Sequence, residues 1–360
     1  MTVNRYVWGT YLMVCALGAC AAPDWRIEET PAPAWEAANP KVPLPKPPLG
    51  IDSSLSRLAE PPTAERVRLG RWLYYDQRLS ANGEISCGTC HKPENGFSQP
   101  TPVATGIGGQ KGIRKTPSFL NQAWTLYPYF FWDGRASSLE EQALAPIENP
   151  TEMGNTHEAM IATLVQIQGY RRYFKEAFGG DEITKERVAM AIADYERTRM
   201  SGGSPWDKWK RTRAEDAVSD EVKRGDELFF GKAECNQCHV GQNFTDSLFH
   251  NLGIGWDPGA RRFKDEGRGL ISKMKEDIGA FKTPGLRDVA KRAPYMHDGS
   301  LTSLREVVLH YNRGGTQNPY LSPKLKVLNL TESEIAALVA FMEALSGEGY
   351  MDTAPTAYPQ

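Results

Sequence analysis

The pentapeptide Cys-x-x-Cys-His occurs twice, as Cys87-Gly88-Thr89-Cys90-His91 and as Cys235-Asn236-Gln237-Cys238-His239. In this pattern two thiols add to the vinyl groups of a haem, and the adjacent His stands where it can ligate the iron. A CxxC pair alone also serves as a dithiol or as half of a zinc site. A His directly after the second Cys is unusual for either, and two copies argue against coincidence. The chain is therefore expected to carry two covalently bound haem c groups and to build an apolar shell around each.

The chain has six Cys, four of them in these motifs; the others, Cys15 and Cys20, lie in an N-terminal apolar stretch. That stretch has Arg5, an apolar run over Tyr11–Leu17, and then Leu17-Gly18-Ala19-Cys20. It is too short for a membrane span and reads as an export signal. Its end resembles a lipobox, which would leave Cys20 lipidated as the first residue; an ordinary signal cut a few residues later is the alternative. Both place the protein outside the cytoplasm, in the periplasm, with membrane contact only through a lipid on Cys20. A net charge of −2 and no basic run argue against nucleic-acid binding.

Residues 20–62 are rich in Pro and Ala and read as an extended tether. Beyond them the sequence repeats itself. Glu65–Tyr75 and Glu221–Phe230 are short amphipathic helices leading into a CxxCH, matched with Val67 on Val222. Lys115-Thr116-Pro117 matches Lys282-Thr283-Pro284, and Trp132-Asp133-Gly134 with Ser138-Leu139 matches His297-Asp298-Gly299 with Ser303-Leu304. Helical periods follow Thr156 and Thr184, and Thr331-x-x-Glu334 is a capping box opening a helix over Ile335–Leu345. The expected fold is mostly α: two class I cytochrome c-like haem domains related by internal duplication. The divisions are an export signal (1–19), the tether (20–62), an N-terminal haem domain (63–205), a C-terminal haem domain (206–350) and a tail (351–360).

The two halves differ at one telling position. Leu304, Val307, Val308 and Tyr311 share one helix face, while His310 is turned about 100° away. Twelve residues separate Gly299 from Tyr311, and twelve separate Gly134 from Pro146, which has no ligand atom to offer. If Tyr311 supplies the sixth ligand of the second haem, nothing equivalent serves the first. No His lies between residues 92 and 156 and no Met between 92 and 152. The first iron is thus expected to keep an open face for a small oxidant, and the second to transfer electrons. Gln142 and Glu152 flank Pro146, and a carboxylate can move the proton that O–O cleavage requires. Spacing alone also admits Glu152 as a solvated loop residue, and Tyr311 as a buried structural tyrosine with Met274 or Met296 ligating instead. A purely electron-transferring di-haem cytochrome would need an unseen ligand on the first iron.

The CxxCH pair, Phe131-Trp132-Asp133-Gly134-Arg135, Pro146-Ile147-Glu148 and Tyr295-Met296-His297-Asp298-Gly299 resemble the bacterial di-haem cytochrome c peroxidases over about residues 63–347. The resemblance implies that the N-terminal haem reduces hydrogen peroxide and the C-terminal haem feeds it electrons. It implies that Gln142 and Glu152 are the distal-pocket pair and Trp132 the relay between the haems, although plain core filling would also suit Trp132. Ile107 stands where those enzymes usually carry a loop His, and Tyr311 where they usually carry Met. A phenolate favours ferric and higher-valent iron. Both departures are similar to the MauG branch, whose members react with peroxide without prior reduction. The electron source is then a small redox protein or a protein substrate. The family's usual calcium ligand, an Asn, is replaced by Lys115, and an ammonium disfavours a bound divalent cation.

Overall fold

The computed structural model describes residues 32–360, so the export-signal and Cys20 expectations lie outside the described residues. Residues Ala34–Gln360 form one compact unit. Its helices, in chain order, are α1 (Ala34–Ala38), α2 (Ala64–Tyr75), α3 (Cys87–Cys90), α4 (Leu139–Glu148), α5 (His157–Gln166) and α6 (Gln168–Phe178). There follow α7 (Lys185–Arg197), α8 (Pro205–Thr212), α9 (Asp220–Phe230), α10 (Gly269–Ser272), α11 (Leu304–Asn312) and α12 (Glu332–Glu343). Strand content is slight. β1 (Phe249–Asn251) pairs antiparallel with β4 (Ala280–Lys282), and β2 (Trp256–Asp257) with β3 (Arg262–Phe263). No helix among the described residues is long and apolar enough to cross a membrane.

Most of the longer helices start on a side-chain cap that the sequence announces. Thr63 accepts from Arg66 N at the head of α2, Thr184 from Arg187 N at α7 and Ser219 from Val222 N at α9. Thr331 and Glu334 cap each other at α12. Two helix crossings follow one pattern. α2 lies on α7 and α9 lies on α12, each with a glycine at the closest approach. A Cβ on Gly70 would sit 1.8 Å from Ala191 O, and one on Gly225 would sit 2.0 Å from Ala337 O. Around the first crossing Leu69, Trp72, Tyr74, Tyr170, Phe174 and Tyr195 are buried; around the second, Leu228, Phe229, Phe244, Leu338 and Phe341.

The same turn also occurs twice. A bridge of Phe130 with Ala136 is matched by one of Tyr295 with Leu301, and left-handed Phe131 (φ 65°) by left-handed Met296 (φ 72°). Ser138 then caps α4 and Ser303 caps α11. These turns aim Trp132 and His297 inward.

One expectation needs correction. Composition predicts a tether over 20–62, yet the described part lies along the body. Trp35 Nε1 donates to Tyr173 Oη at 2.8 Å, Asn39 Nδ2 to Arg68 O at 2.9 Å and Arg287 Nη2 to Gly50 O at 3.2 Å, with Ile51 and Leu55 buried. Proline keeps such a segment extended, but its free carbonyls remain open to side-chain donors. Residues 351–360, the tail, also lie along the body. Arg71 Nε donates to both carboxylate oxygens of Asp352, Trp72 Nε1 donates to Ala357 O at 3.2 Å and Gly169 N to Gln360 O at 2.7 Å.

Candidate functional site

The two CxxCH segments are built alike. Cys87–Cys90 is the single turn α3, and Cys235–Gln237 is one 3-10 turn. His91 Nδ1 lies 3.0 Å from Phe97 O, and His239 Nδ1 lies 2.8 Å from Phe244 O. A carbonyl only accepts, so Nδ1 carries the proton in each ring and Nε2 keeps a free lone pair. Both accepting residues, Phe97 (φ 56°) and Phe244 (φ 53°), are fully buried in the left-handed region, where a non-glycine residue is strained. Burial pushes His91 down to about 4 and lowers His239, so both imidazoles are neutral bases at neutral pH.

The thiols sit in equally apolar surroundings. Burial pushes Cys90 up to about 11 and Cys235 to about 12, and it raises Cys87 as well. The four described cysteines are unpaired. Sulfur in such a place is stable only when uncharged, which a thioether satisfies permanently. Next to each segment lies a cavity. One, of about 1500 Å³ with its mouth included, is lined by Cys235, Cys238, His239, Met296 and Tyr311 among others. The other, of about 670 Å³, is lined by His91, Phe119, Phe131, Trp132, Leu139 and Gln142 among others. Cofactor clefts usually enclose about 300–1,000 Å³ between mostly apolar walls. A neutral His with a free Nε2, two uncharged thiols and an apolar cleft together fit a haem at both places.

The matched positions Tyr311 and Pro146 lie in different surroundings. In α11 the Tyr311 side chain faces the second cavity, and burial raises its hydroxyl above the ordinary tyrosine range. His310 points elsewhere, with Nε2 3.0 Å from Leu252 O. Met274 is exposed, whereas Met296 lines the second cavity. Pro146 falls in the last turn of α4. Among the described residues, the walls of the first cavity hold no Met, Tyr or Cys, and no His besides His91.

Trp132 lines both cavities. Its Nε1 donates to Lys115 O at 2.7 Å, and its own carbonyl accepts from Lys282 N at 2.8 Å. Arg114 fixes the following turn by bonding Asp133 and Asp265, each at 2.6 Å. His297 lines the second cavity, stacked on Phe281 at 3.5 Å between ring centres.

Of the two proton-handling candidates, Gln142 lines the first cavity from α4. Glu152 is partly buried on the loop beyond. Ile107 N donates to its carbonyl at 2.8 Å and Asn149 Nδ2 to its Oε1 at 2.8 Å. Burial raises the Glu152 carboxyl, opposed by Arg135, and its charge in turn raises Cys90. Glu152 is thus near Cys90, and it is not among the residues that line the cavity with Gln142. Sequence reasoning missed Lys282, which lines both cavities, and Glu196, a buried carboxyl whose charge is felt at Cys87. Lys282 enters the sequence reading only through the repeat of Lys115-Thr116-Pro117, and Glu196 sits in no motif that spacing flags.

A family profile described as di-haem cytochrome c peroxidase matches residues 64–215. The chain is 42% identical over 300 residues to the methylamine utilization protein MauG of Methylorubrum extorquens, covering 82% of each. It is 34% identical over 288 residues to a cytochrome c551 peroxidase of Nitrosomonas europaea, covering 80% of this chain and 82% of that protein. A crystal structure of a MauG-like protein associated with microbial copper homeostasis superposes with a TM-score of 0.76 at 30% identity, covering 89% of this chain and 97% of that one.

Proposed function

Because the chain belongs to the di-haem cytochrome c peroxidase family and is thus an oxidoreductase of the peroxidase class, we propose that it reduces hydrogen peroxide at the cavity of His91. Oxidising equivalents pass to a second centre held by His239 and Tyr311. The observation that carries this reading is the contrast between the cavities: the second has Tyr311 in its wall together with His239, and the first has no such side chain beside His91.

A haem on each CxxCH segment supplies the redox chemistry when bound, attached through Cys87 and Cys90 in one case and Cys235 and Cys238 in the other. The protein's own part is to hold and move protons. Peroxide takes two electrons and two protons to give two waters. Glu152, raised by burial, takes the proton from one peroxide oxygen and returns it to the leaving oxygen, while Gln142 orients the substrate by its amide. Pro146 keeps the face open. Trp132, in the wall of both cavities, is the relay between them.

A tyrosine ligand favours the MauG-like mode, in which the fully ferric protein reacts without prior reduction. The electrons come from a small redox protein or from a protein substrate. We assign the haem units to residues 63–205 and 206–350, derived by duplication, and place the protein in the periplasm on a Cys20 lipid anchor. Calcium is not part of the proposal. The Lys115 ammonium is held by the carbonyls of Gln99 and Thr101, where a divalent cation would meet its charge.

The test is a stopped-flow optical spectrum of the ferric, donor-free protein mixed with one equivalent of hydrogen peroxide. A fast change to a lasting high-valent spectrum supports the proposal. No change would show that the first centre is blocked or needs reduction, and repeating the mixing on half-reduced protein separates those two.

A further inference from the structure

Each helix crossing carries a triangle of aromatic rings, and the two triangles have nearly the same geometry. In one, Tyr74 lies 4.8 Å from Tyr75 and 4.8 Å from Tyr195, ring centre to ring centre, with Tyr75 to Tyr195 at 6.2 Å. In the other, Phe229 lies 5.2 Å from Phe230 and 4.7 Å from Phe341, with Phe230 to Phe341 at 6.4 Å. The positions correspond through the crossings themselves. Tyr74 and Tyr75 follow Gly70 by four and five residues, as Phe229 and Phe230 follow Gly225. Tyr195 and Phe341 each stand four residues beyond the alanine that the glycine meets.

Phenylalanine thus satisfies the packing. The first crossing adds three hydroxyls, and a hydroxyl buried without a partner is costly. Tyr74 Oη donates to His91 O at 2.8 Å, Tyr195 Oη donates to Asp352 Oδ2 at 2.7 Å, and Tyr75 Oη lies 3.3 Å from Tyr195 Oη. Asp352 is fixed in turn by Arg71 at 2.9 Å and Arg199 at 3.6 Å. All three tyrosines are buried, whereas Phe230 is exposed. What tyrosine has and phenylalanine lacks is a ring that can be oxidised once a base takes the phenol proton. The tyrosines also touch the first CxxCH segment. A Cβ on Gly88 would sit 2.5 Å from Tyr75 Cδ1 and 3.4 Å from Tyr74 Cε1. Phe119 bridges the rings of Tyr74 and His91 at 5.8 and 5.5 Å.

We propose that Tyr74, Tyr75 and Tyr195 are an internal electron source for the first centre, with Tyr195 the residue that is oxidised. This rests on the reading that hydrogen peroxide oxidises the centre at His91. When no external electron arrives, that oxidised centre takes one electron from Tyr195 by way of the Tyr74 ring, and the hydroxyl proton of Tyr195 passes to Asp352. The products are a neutral phenoxyl radical, a protonated Asp352 and a centre one equivalent less oxidised. A phenol that has lost an electron is a strong acid, so the carboxylate already on that hydroxyl accepts its proton. Tyr74 has only a carbonyl on its hydroxyl, a far weaker base, so it conducts without keeping the charge. Burial shields the radical from reductants in solution.

The experiment mixes ferric, donor-free holoprotein with one equivalent of hydrogen peroxide. Stopped flow follows the optical spectrum, and electron paramagnetic resonance is read on samples frozen at successive times. The proposal expects a tyrosyl signal that grows as the high-valent spectrum fades and narrows in protein grown on ring-deuterated tyrosine. Tyr195→Phe, which restores the residue type found at Phe341, should lose most of that signal and keep the high-valent spectrum several-fold longer. Asp352→Asn keeps the ring but removes the base, and should lower the signal several-fold. A tyrosyl signal as strong in Tyr195→Phe as in the parent would overturn the proposal. So would a high-valent spectrum that fades in the parent with no tyrosyl signal. An optical spectrum that peroxide leaves unaltered would overturn the reading beneath the proposal, and the proposal with it. If Tyr195→Phe does not fold, Asp352→Asn decides alone, and an undiminished signal there overturns the proposal.

Discussion

Glu196 lies inside the core around the first CxxCH segment, with Oε2 lacking any hydrogen-bond partner. Burial pushes it up to about 8 from an ordinary 4.5. Between those values the folded chain holds a proton that the unfolded chain has released, so stability falls as pH rises through that window. Below it both states are protonated and the group contributes nothing. Glu196→Gln should therefore stabilise the protein by on the order of 3 kcal/mol at pH 8 and leave it unchanged at pH 4, read from urea unfolding at the two values. Near the first CxxCH segment, Glu152→Gln should keep both haems and slow the reaction with peroxide roughly 10²-fold, the scale of a lost acid–base group. An unaltered rate in stopped flow would remove Glu152 from the proton path. Tyr311→His should change the optical and low-spin paramagnetic signals of one haem only; identical spectra would mean that the second centre takes its ligand elsewhere, with Met296 next in line.

At the scale of elements, the two glycine crossings bear most directly on stability. Adding one methyl at Gly70 drives it into Ala191 O on the α7 backbone, which cannot turn aside. Gly70→Ala should cost about 1–3 kcal/mol and lower the thermal midpoint, with Gly225→Ala behaving alike against Ala337 O. Differential scanning calorimetry checks both, and equal midpoints in variant and parent would show that the crossings relax. These helices were legible in the sequence because their caps and apolar stripes are local: Thr184 and Val188 reveal α7 without reference to anything distant. The CxxCH segments were legible for the same reason. The partial burial of Glu152 was not, since spacing reports separation along the chain and not which groups a loop packs against. Glu196 escaped notice because a lone Glu in a helix acquires meaning only from the burial that tertiary packing imposes on it.

For the whole molecule, the ends of the described chain are structural parts. Tyr350 is fully buried in the core around the first CxxCH segment, and residues 352–360 close over Arg71, Trp72 and Tyr75. Composition could not announce this: prolines and small residues declare that a segment is extended, while its docking partner lies some 280 residues away in sequence. Deleting residues 351–360 should lower the thermal midpoint by several degrees, about 2–4 °C for each kcal/mol lost in a domain of 150–250 residues, and should uncover Trp72 to quenchers of its fluorescence. A midpoint and quenching unchanged from the parent would show that the strap is dispensable. The strap also has a consequence in time. Residues 350–360 are made after everything they cover, so the shell around Cys87, Cys90 and His91 stays ajar until translation has passed the second CxxCH segment. Until then the core around the first CxxCH segment lacks Tyr350 and the cover that residues 352–360 give Arg71 and Trp72.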